Sequence, residues 1–232
     1  MRRKCDEMRR PNAVIFDLDG TLSDSAPAID RALGTVWASA DREPQPLSAT
    51  MTMIGDGPDV LIRKARAAAG LDSDSDAIRR ETDAFLAAYA QEGIGGDPYP
   101  GAVDVLRRLR EAGLRLAVCT NKPQAAAERL VSGLGFSPYL DCLVGGDATP
   151  ARKPDPAHVR VVLERFGNIS PAETLMVGDG LQDVAAAEAA SVPVLVAAYG
   201  YGGAAVARPE LPAVQALADI PGLLLDGSGD LS

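Results

Sequence analysis

Apolar positions along this chain fall into short unbroken runs, separated by longer stretches with helical spacing. The runs are AVIF at 13–16, LRLAVC at 114–119, TLMV at 174–177 and VPVLV at 192–196, with 141–144 a further candidate. They are rich in β-branched residues and leucine and lack polar alternation, the mark of parallel strands covered on both faces. Between them, 103–112, 123–134, 156–166 and 181–190 repeat apolar residues every three to four positions. Strand–helix repetition of this kind predicts an α/β fold, a doubly wound and mostly parallel Rossmann-like sheet.

From about Ser25 to Gly95 the rhythm changes. Helical patterns occupy 26–40, 58–69 and 76–91, with no strand among them. The edges of the interval, TLSD at 21–24 and GIGGDPYPG at 93–101, read as loops. The predicted organisation is an α/β core from 12–24 and 96–226, with an all-helical insertion at 25–95 hinged on two crossing strands of chain. Residues 1–11 and 227–232 read as flexible tails.

Composition narrows the function. Of 232 residues 47% are hydrophobic, enough for one core and a small second one. The net charge of −9 speaks against nucleic acid, and it means that an anionic substrate would need a local cation. Three widely spaced cysteines, Cys5, Cys119 and Cys142, form no CxxC pair and read as free thiols of a reducing compartment. The basic start MRRKCDEMRRPN is not followed by an apolar run long enough for a signal peptide, and nothing approaches the roughly 20 apolar residues of a membrane span. The expectation is a cytoplasmic protein, monomer or homodimer, with no nucleic-acid or membrane partner.

The chemistry-bearing residues cluster at the predicted strand ends, where open parallel sheets bind ligands. Asp17 and Asp19 follow the first run, Thr120 the second, and Asp179 the third with Asp183 four residues on; Lys153 precedes the 156–166 helix. Four close carboxylates cannot all ionise without compensation, and oxygen-only ligands suit Mg²⁺. Asp179 is expected to N-cap a helix, with Asp183 one turn later on the same face. Residues i and i+2 of an extended strand point the same way, so Asp17 and Asp19 can face one ligand, the one attacking phosphorus and the other serving the leaving oxygen. Gly20 permits the turn away and leaves room for a phosphate.

Asp17-Leu18-Asp19-Gly20-Thr21, Thr120, Lys153 and Gly178-Asp179-Gly180-Leu181-Gln182-Asp183 resemble, in order and spacing, the four motifs of haloacid-dehalogenase-superfamily phosphatases. DLDGTLSDSAP, YPGAVDVL, AVCTNKP, GGDATPARKPDP and AYGYGG look closer still to the bacterial phosphoglycolate phosphatases of that superfamily, and MIGDGPDVLIRKA to the specificity loop and following helix of their helical cap. The resemblance implies a phosphoric monoester hydrolase acting on a small phosphate ester. Asp17 is then nucleophile and Mg²⁺ ligand. Asp19 is general acid and base, and lends its backbone carbonyl to the metal. Thr120 and Lys153 hold the phosphoryl oxygens, Asp179 ligates the metal and Asp183 supports it. Gly20, Thr21, Asn121, Gly55 and Arg63 are candidate substrate contacts. Gly180 stands where the family usually carries Ser.

Several of these residues have plainer readings. Asn121 serves equally well as a helix cap. Gly55-Asp56-Gly57 serves as a simple turn, and Arg63 and Lys64 as a solvated helix face. Arg152 shares the setting of Lys153. His158, the only histidine, is expected to pack away from any motif, Trp37 and Phe85 to lie in the core, and Cys119 to be buried and inert. A sugar or amino-sugar phosphatase, a β-phosphoglucomutase-like mutase and an Asp-phosphorylated signalling domain are the alternatives. A dehalogenase would lack the acid at Asp19.

Overall fold

Residues 10–167, 169–202, 208 and 210–226 are described by a computed structural model. Along the chain the strands are β1 (Ala13–Phe16), β2 (Ser23–Asp24), β3 (Asp97–Pro98), β4 (Arg115–Cys119), β5 (Cys142–Val144), β6 (Thr174–Gly178), β7 (Val194–Ala197) and β8 (Ala213–Val214). The α-helices are α1 (Ala26–Ala38), α2 (Leu47–Met51), α3 (Pro58–Ala68), α4 (Ser75–Tyr89), α5 (Ala102–Glu111), α6 (Gln124–Gly133), α7 (Pro156–Arg165) and α8 (Leu181–Ala189).

Six strands form one sheet in the order β5-β4-β1-β6-β7-β8, and every neighbouring pair in it is parallel. Side chains of β1 alternate between two apolar layers. Val14 and Phe16 pack with Leu106 of α5 and Leu130 of α6, while Ala13 and Ile15 pack with Val159 of α7 and Val184 of α8. That double cover is why the strand reads as an unbroken apolar run. The sheet grows from β1 through β4 to β5 on one side, then restarts with β6 on the other. This reversal leaves the carboxyl ends of β4, β1 and β6 side by side.

Residues 26–89 bury a third apolar cluster of their own, with Ile29, Leu33 and Trp37 of α1 against Ile62 of α3 and Phe85 of α4. Trp37 and Phe85 are therefore core, as the pattern implied. The two crossings at the edge of this helical segment are not open loops. β2 and β3 pair as a short antiparallel ribbon, and Ser23 Oγ donates to the Asp97 carbonyl at 3.0 Å. This ribbon, α2 and β8 are absent from the sequence prediction because elements of two to five residues offer too few positions to show a period. The long elements match within about two residues, as end-fraying allows.

The expected tails at 1–9 and 227–232, with Cys5, lie outside the described residues. Of the adjoining stretch, Pro11 is buried and Arg10 Nη2 donates to the Ala112 carbonyl at 2.7 Å. Among the described residues no helix is long and apolar enough to cross a membrane.

Candidate active site

Asp17 leaves the carboxyl end of β1 with its N–H bonded to Val177 O (2.9 Å), so the β6 ladder fixes its backbone. Asp179 and Asp183 arrive from the end of β6 and the first turn of α8. One carboxylate oxygen from each of these three buried residues lies within 4.8 Å of the others. Lys153, on the loop before α7, stands among them: its Nζ donates to Asp183 Oδ1 and to Cys119 O at 2.6 Å each. It is also 2.9 Å from Asp17 Oδ1, near enough for charge attraction but out of hydrogen-bonding alignment, so that oxygen has no aligned donor.

The first turn of α8 departs from expectation. Gly180, not Asp179, is the N-cap, and Asp183 closes the turn by accepting the Gly180 N–H (2.9 Å). Asp179 is thereby free of capping. Its oxygens instead accept from Thr21 Oγ1 and from Gly202 N, both at 3.0 Å. Gly20 adopts φ +88°, and a Cβ there would overlap the Asp179 carboxylate, so the space its missing side chain leaves is used by Asp179. A Cβ on Gly180 would overlap the Gln182 carboxamide, which also packs against Gly55. In this chain the Gln182 carboxamide occupies the place a side chain at 180 would take.

Electrostatics on this floor are severe. Burial, with repulsion from Asp183 that Lys153 only partly offsets, pushes Asp17 up to about 8. Burial and Asp183 likewise push Asp179 up to about 7, against its hydrogen bonds from Gly202 and Thr21. Burial opposes the Lys153 ammonium, but Asp17 and Asp183 outweigh it and raise its pKa. Two buried carboxyls with raised pKa values beside a third, Asp183, mark a place where one lysine does not supply all the positive charge the carboxylates call for. An all-oxygen donor set of this kind fits a hard divalent cation.

Asp19 is held separately. Lys122 Nζ lies 2.8 and 3.0 Å from its two oxygens, and Ser25 Oγ donates to Oδ1. The Lys122 ammonium faces the Tyr89 ring of α4, 4.6 Å from its centroid. Burial works against this charge, but Asp19 and Tyr89 outweigh it and raise the pKa. Lys122 was not among the residues singled out from sequence. The signal was available: it follows Thr120-Asn121 at a strand end, where four carboxylates had been matched with one lysine.

A cleft runs from these strand ends to the helical segment. Its floor includes Asp17, Asp19, Thr120, Asn121 and Lys122, and its roof includes Ile29, Ile54, Leu61, Phe85 and Tyr89. Gly55 lines it as well. Arg63 does not: it is exposed on α3, away from the lining residues. Its neighbour Lys64 pairs with Asp56 (2.7 Å). Asn121 caps no helix, since Pro123 stands at the start of α6. Its Nδ2 instead ties the Gly55 carbonyl (2.9 Å) to the Lys153 carbonyl (2.8 Å). Arg152 binds Asp59 of α3 at 2.7 Å. Thr120 Oγ1 accepts the Lys122 N–H at 3.2 Å. Cys119 is fully buried, and burial pushes its thiol up to about 12, which makes it inert.

His158 packs, as expected, but not away from the motifs. It is completely buried, and its Nδ1 accepts the Lys153 N–H at 3.2 Å while Nε2 faces Gly145 O at 3.2 Å. Burial and the nearby Lys153 charge push its pKa down to about 4, so the ring is neutral, with the proton on Nε2.

The sequence matches the haloacid dehalogenase-like hydrolases over residues 11–191. It is 45% identical over 202 residues to a phosphoglycolate phosphatase of Rhodospirillum rubrum, covering 85% of this chain and 83% of the relative. It is 38% identical over 208 residues to phosphoglycolate phosphatase 1 of Pseudomonas aeruginosa, covering 88% and 75%. Among solved structures it resembles a predicted phosphoglycolate phosphatase from Haemophilus somnus, with a TM-score of 0.82 and 29% identity over 92% of this chain and 97% of the other.

Proposed function

We propose that this chain, which belongs to the haloacid dehalogenase-like hydrolase family and is a phosphoric monoester hydrolase, acts on 2-phosphoglycolate through a phosphorylated Asp17. The observation that carries the reading is the cluster of Asp17, Asp179 and Asp183 around Lys153, with one Asp17 oxygen lacking an aligned donor. The substrate assignment is supported by relatives named for phosphoglycolate.

Asp17 and Asp179, with Asp183 behind them and the Asp19 carbonyl, would hold Mg²⁺. When bound, the ion supplies positive charge that keeps the carboxylates ionised and draws the phosphoryl oxygens in. Asp17 attacks phosphorus in line, forming an acyl phosphate as the ester oxygen leaves. Asp19, held at the cleft by Lys122 and Ser25, gives the leaving alkoxide its proton, then takes one from the water that splits the acyl phosphate, a role worth roughly 10²–10⁴-fold. Thr120, whose oxygen already accepts from Lys122, has its hydroxyl hydrogen left to donate to the phosphoryl group. Lys153 balances the charge of Asp17 and Asp183. The helical segment 25–95 acts as a cap on the core of 12–24 and 96–226, excluding water and sorting substrates.

Phosphate release from a panel of monoesters with Mg²⁺ tests this. The expected result is the highest kcat/KM for 2-phosphoglycolate, with turnover lost on chelation. A sugar or amino-sugar phosphate heading the panel would replace the substrate assignment. Two in-line displacements retain configuration at a chirally labelled phosphorus, so inversion would remove the covalent step.

A further inference from the structure

We infer that Lys122 is the receptor for a substrate carboxylate carried on the same carbon as the ester oxygen, so that the site selects α-phosphoryloxy acids. The inference rests on the phosphatase reading of the same site and names the group that would give it specificity.

Lys122 is the only cationic side chain lining the cleft among the described residues. Lys64, Arg152 and Arg63 are not among its lining residues. Of the roof, Ile29, Ile54, Leu61 and Phe85 cannot pair with an anion, and the Tyr89 hydroxyl already donates to the Gly95 carbonyl at 2.6 Å. A carboxylate left against that surface would lose its hydration without compensation.

Distance then fixes which carboxylate fits. An ester oxygen that takes a proton from Asp19 must come within hydrogen-bond reach of it. Lys122 Nζ lies at the end of the same Asp19 carboxylate, 2.8 and 3.0 Å from its two oxygens. In an α-phosphoryloxy acid, two covalent bonds, roughly 2.5 Å in span, separate the ester oxygen from the carboxyl carbon. The carboxylate therefore arrives beside Nζ when the ester oxygen is beside Asp19. Nζ also lies over the Tyr89 ring, 4.6 Å from its centroid, which brings no competing formal charge. A homologue longer by one carbon would carry its anion past Lys122 toward the apolar roof.

The test compares 2-phosphoglycolate, ethyl phosphate and the one-carbon-longer acid on wild type, Lys122→Met and Lys122→Gln, each checked for cooperative unfolding. The expected result is that both variants lose about 30-fold or more in kcat/KM for 2-phosphoglycolate relative to ethyl phosphate. The preference over the longer acid should collapse with it. An equal loss on 2-phosphoglycolate and ethyl phosphate would assign Lys122 to positioning Asp19 alone and overturn the inference. Wild type that hydrolyses ethyl phosphate but not 2-phosphoglycolate would overturn it together with the substrate assignment. Wild type inert toward all three esters with Mg²⁺ would remove the phosphatase reading itself.

Discussion

Floor and roof of the cleft are stabilised in opposite ways. Beneath the floor, around Asp17, the buried ionisable groups Asp179, Asp183 and Lys153 depend on one another and on the backbone donors Gly180 and Gly202. On the roof, Ile29, Leu61 and Phe85 are held by contact with one another and with Trp37. Buried charges tolerate little displacement, because removing one partner strands the rest. An apolar surface tolerates exchange of shape at modest cost. The floor therefore suits a chemistry that does not vary, and the roof suits the choice of what is admitted to it.

The sharpest way to break this division is Asp17→Asn, which removes the proposed nucleophile from the floor. Turnover should fall by at least about 10⁴-fold with the fold retained. Residual turnover within tenfold of wild type would place the nucleophile elsewhere. Asp19→Asn should cost about 10²–10⁴-fold with the fold intact, and should cost less on esters whose leaving group needs no proton, such as an aryl phosphate. A uniform loss on alkyl and aryl esters would contradict its assignment as general acid.

Phe85→Ala attacks the roof instead. It should cost about 3–5 kcal/mol of stability in urea unfolding, because it removes a large side chain buried in the helical cluster. Its effect on turnover of ethyl phosphate should be far smaller than that of Asp19→Asn. If the two were equal, roof and floor would not be separable.

The floor should also make stability depend on pH when no divalent cation is present. Asp17 and Asp179 have folded pKa values of about 8 and about 7, above the ordinary 3.8, so the folded chain binds more protons than the unfolded one in between. Their contribution is present at low pH and is lost as pH rises through those values. His158, lowered to about 4, acts the other way, with stability present above its ordinary 6.5 and lost as pH falls. The clean window is thus pH 6.5 to 8, where only the carboxyls titrate. With EDTA, stability should fall there by as much as about 1.4 kcal/mol per pH unit for each carboxyl still protonated in the folded chain. Mg²⁺ should flatten the slope, and its affinity should rise with pH as it displaces those protons. A flat EDTA profile would mean the carboxyls are not held near neutrality.

The smallest effect is expected where floor and roof touch. Gly180 has an extended backbone, φ −103° and ψ 157°, that any residue adopts, so Gly180→Ser should fold and can gain an N-cap. Its side chain would displace the flexible Gln182 carboxamide from Gly55. A change in kcat/KM of less than about tenfold, abolished in a Gln182→Ala background, is the expected outcome of a double-mutant cycle. Additive effects in that cycle would deny the contact any part in seating the Gly55 loop.

Asp17, Asp19, Thr120 and Asp179 were legible in the sequence because they follow the ends of apolar runs, whereas Asp183 was placed by helix spacing and Lys153 by its loop setting and the motif resemblance. An unbroken apolar run ends where the sheet ends, and a polar residue at that point has nowhere to face but the ligand crevice. Arg63 and Asn121 show where this reasoning stopped. Arg63 shares a helix with the roof residue Leu61, yet it points to solvent, a matter of helix rotation that its residue type does not encode. Asn121 sits at a strand end like Thr120, but its amide spans two backbone carbonyls from segments 66 and 32 residues away.

By itself the sequence determined the α/β alternation, the helical interruption and the set of residues placed at strand ends, because these depend on local period and on side-chain chemistry. Only the tertiary structure decided that Lys122 belongs to Asp19, that Gly20 yields its space to Asp179, that His158 braces Lys153, and that the roof is mostly apolar and, among the described residues, without a cation of its own. Those pairings join residues up to 159 positions apart. They are set by how helices rotate and loops close over the sheet, and short-range pattern carries no record of either.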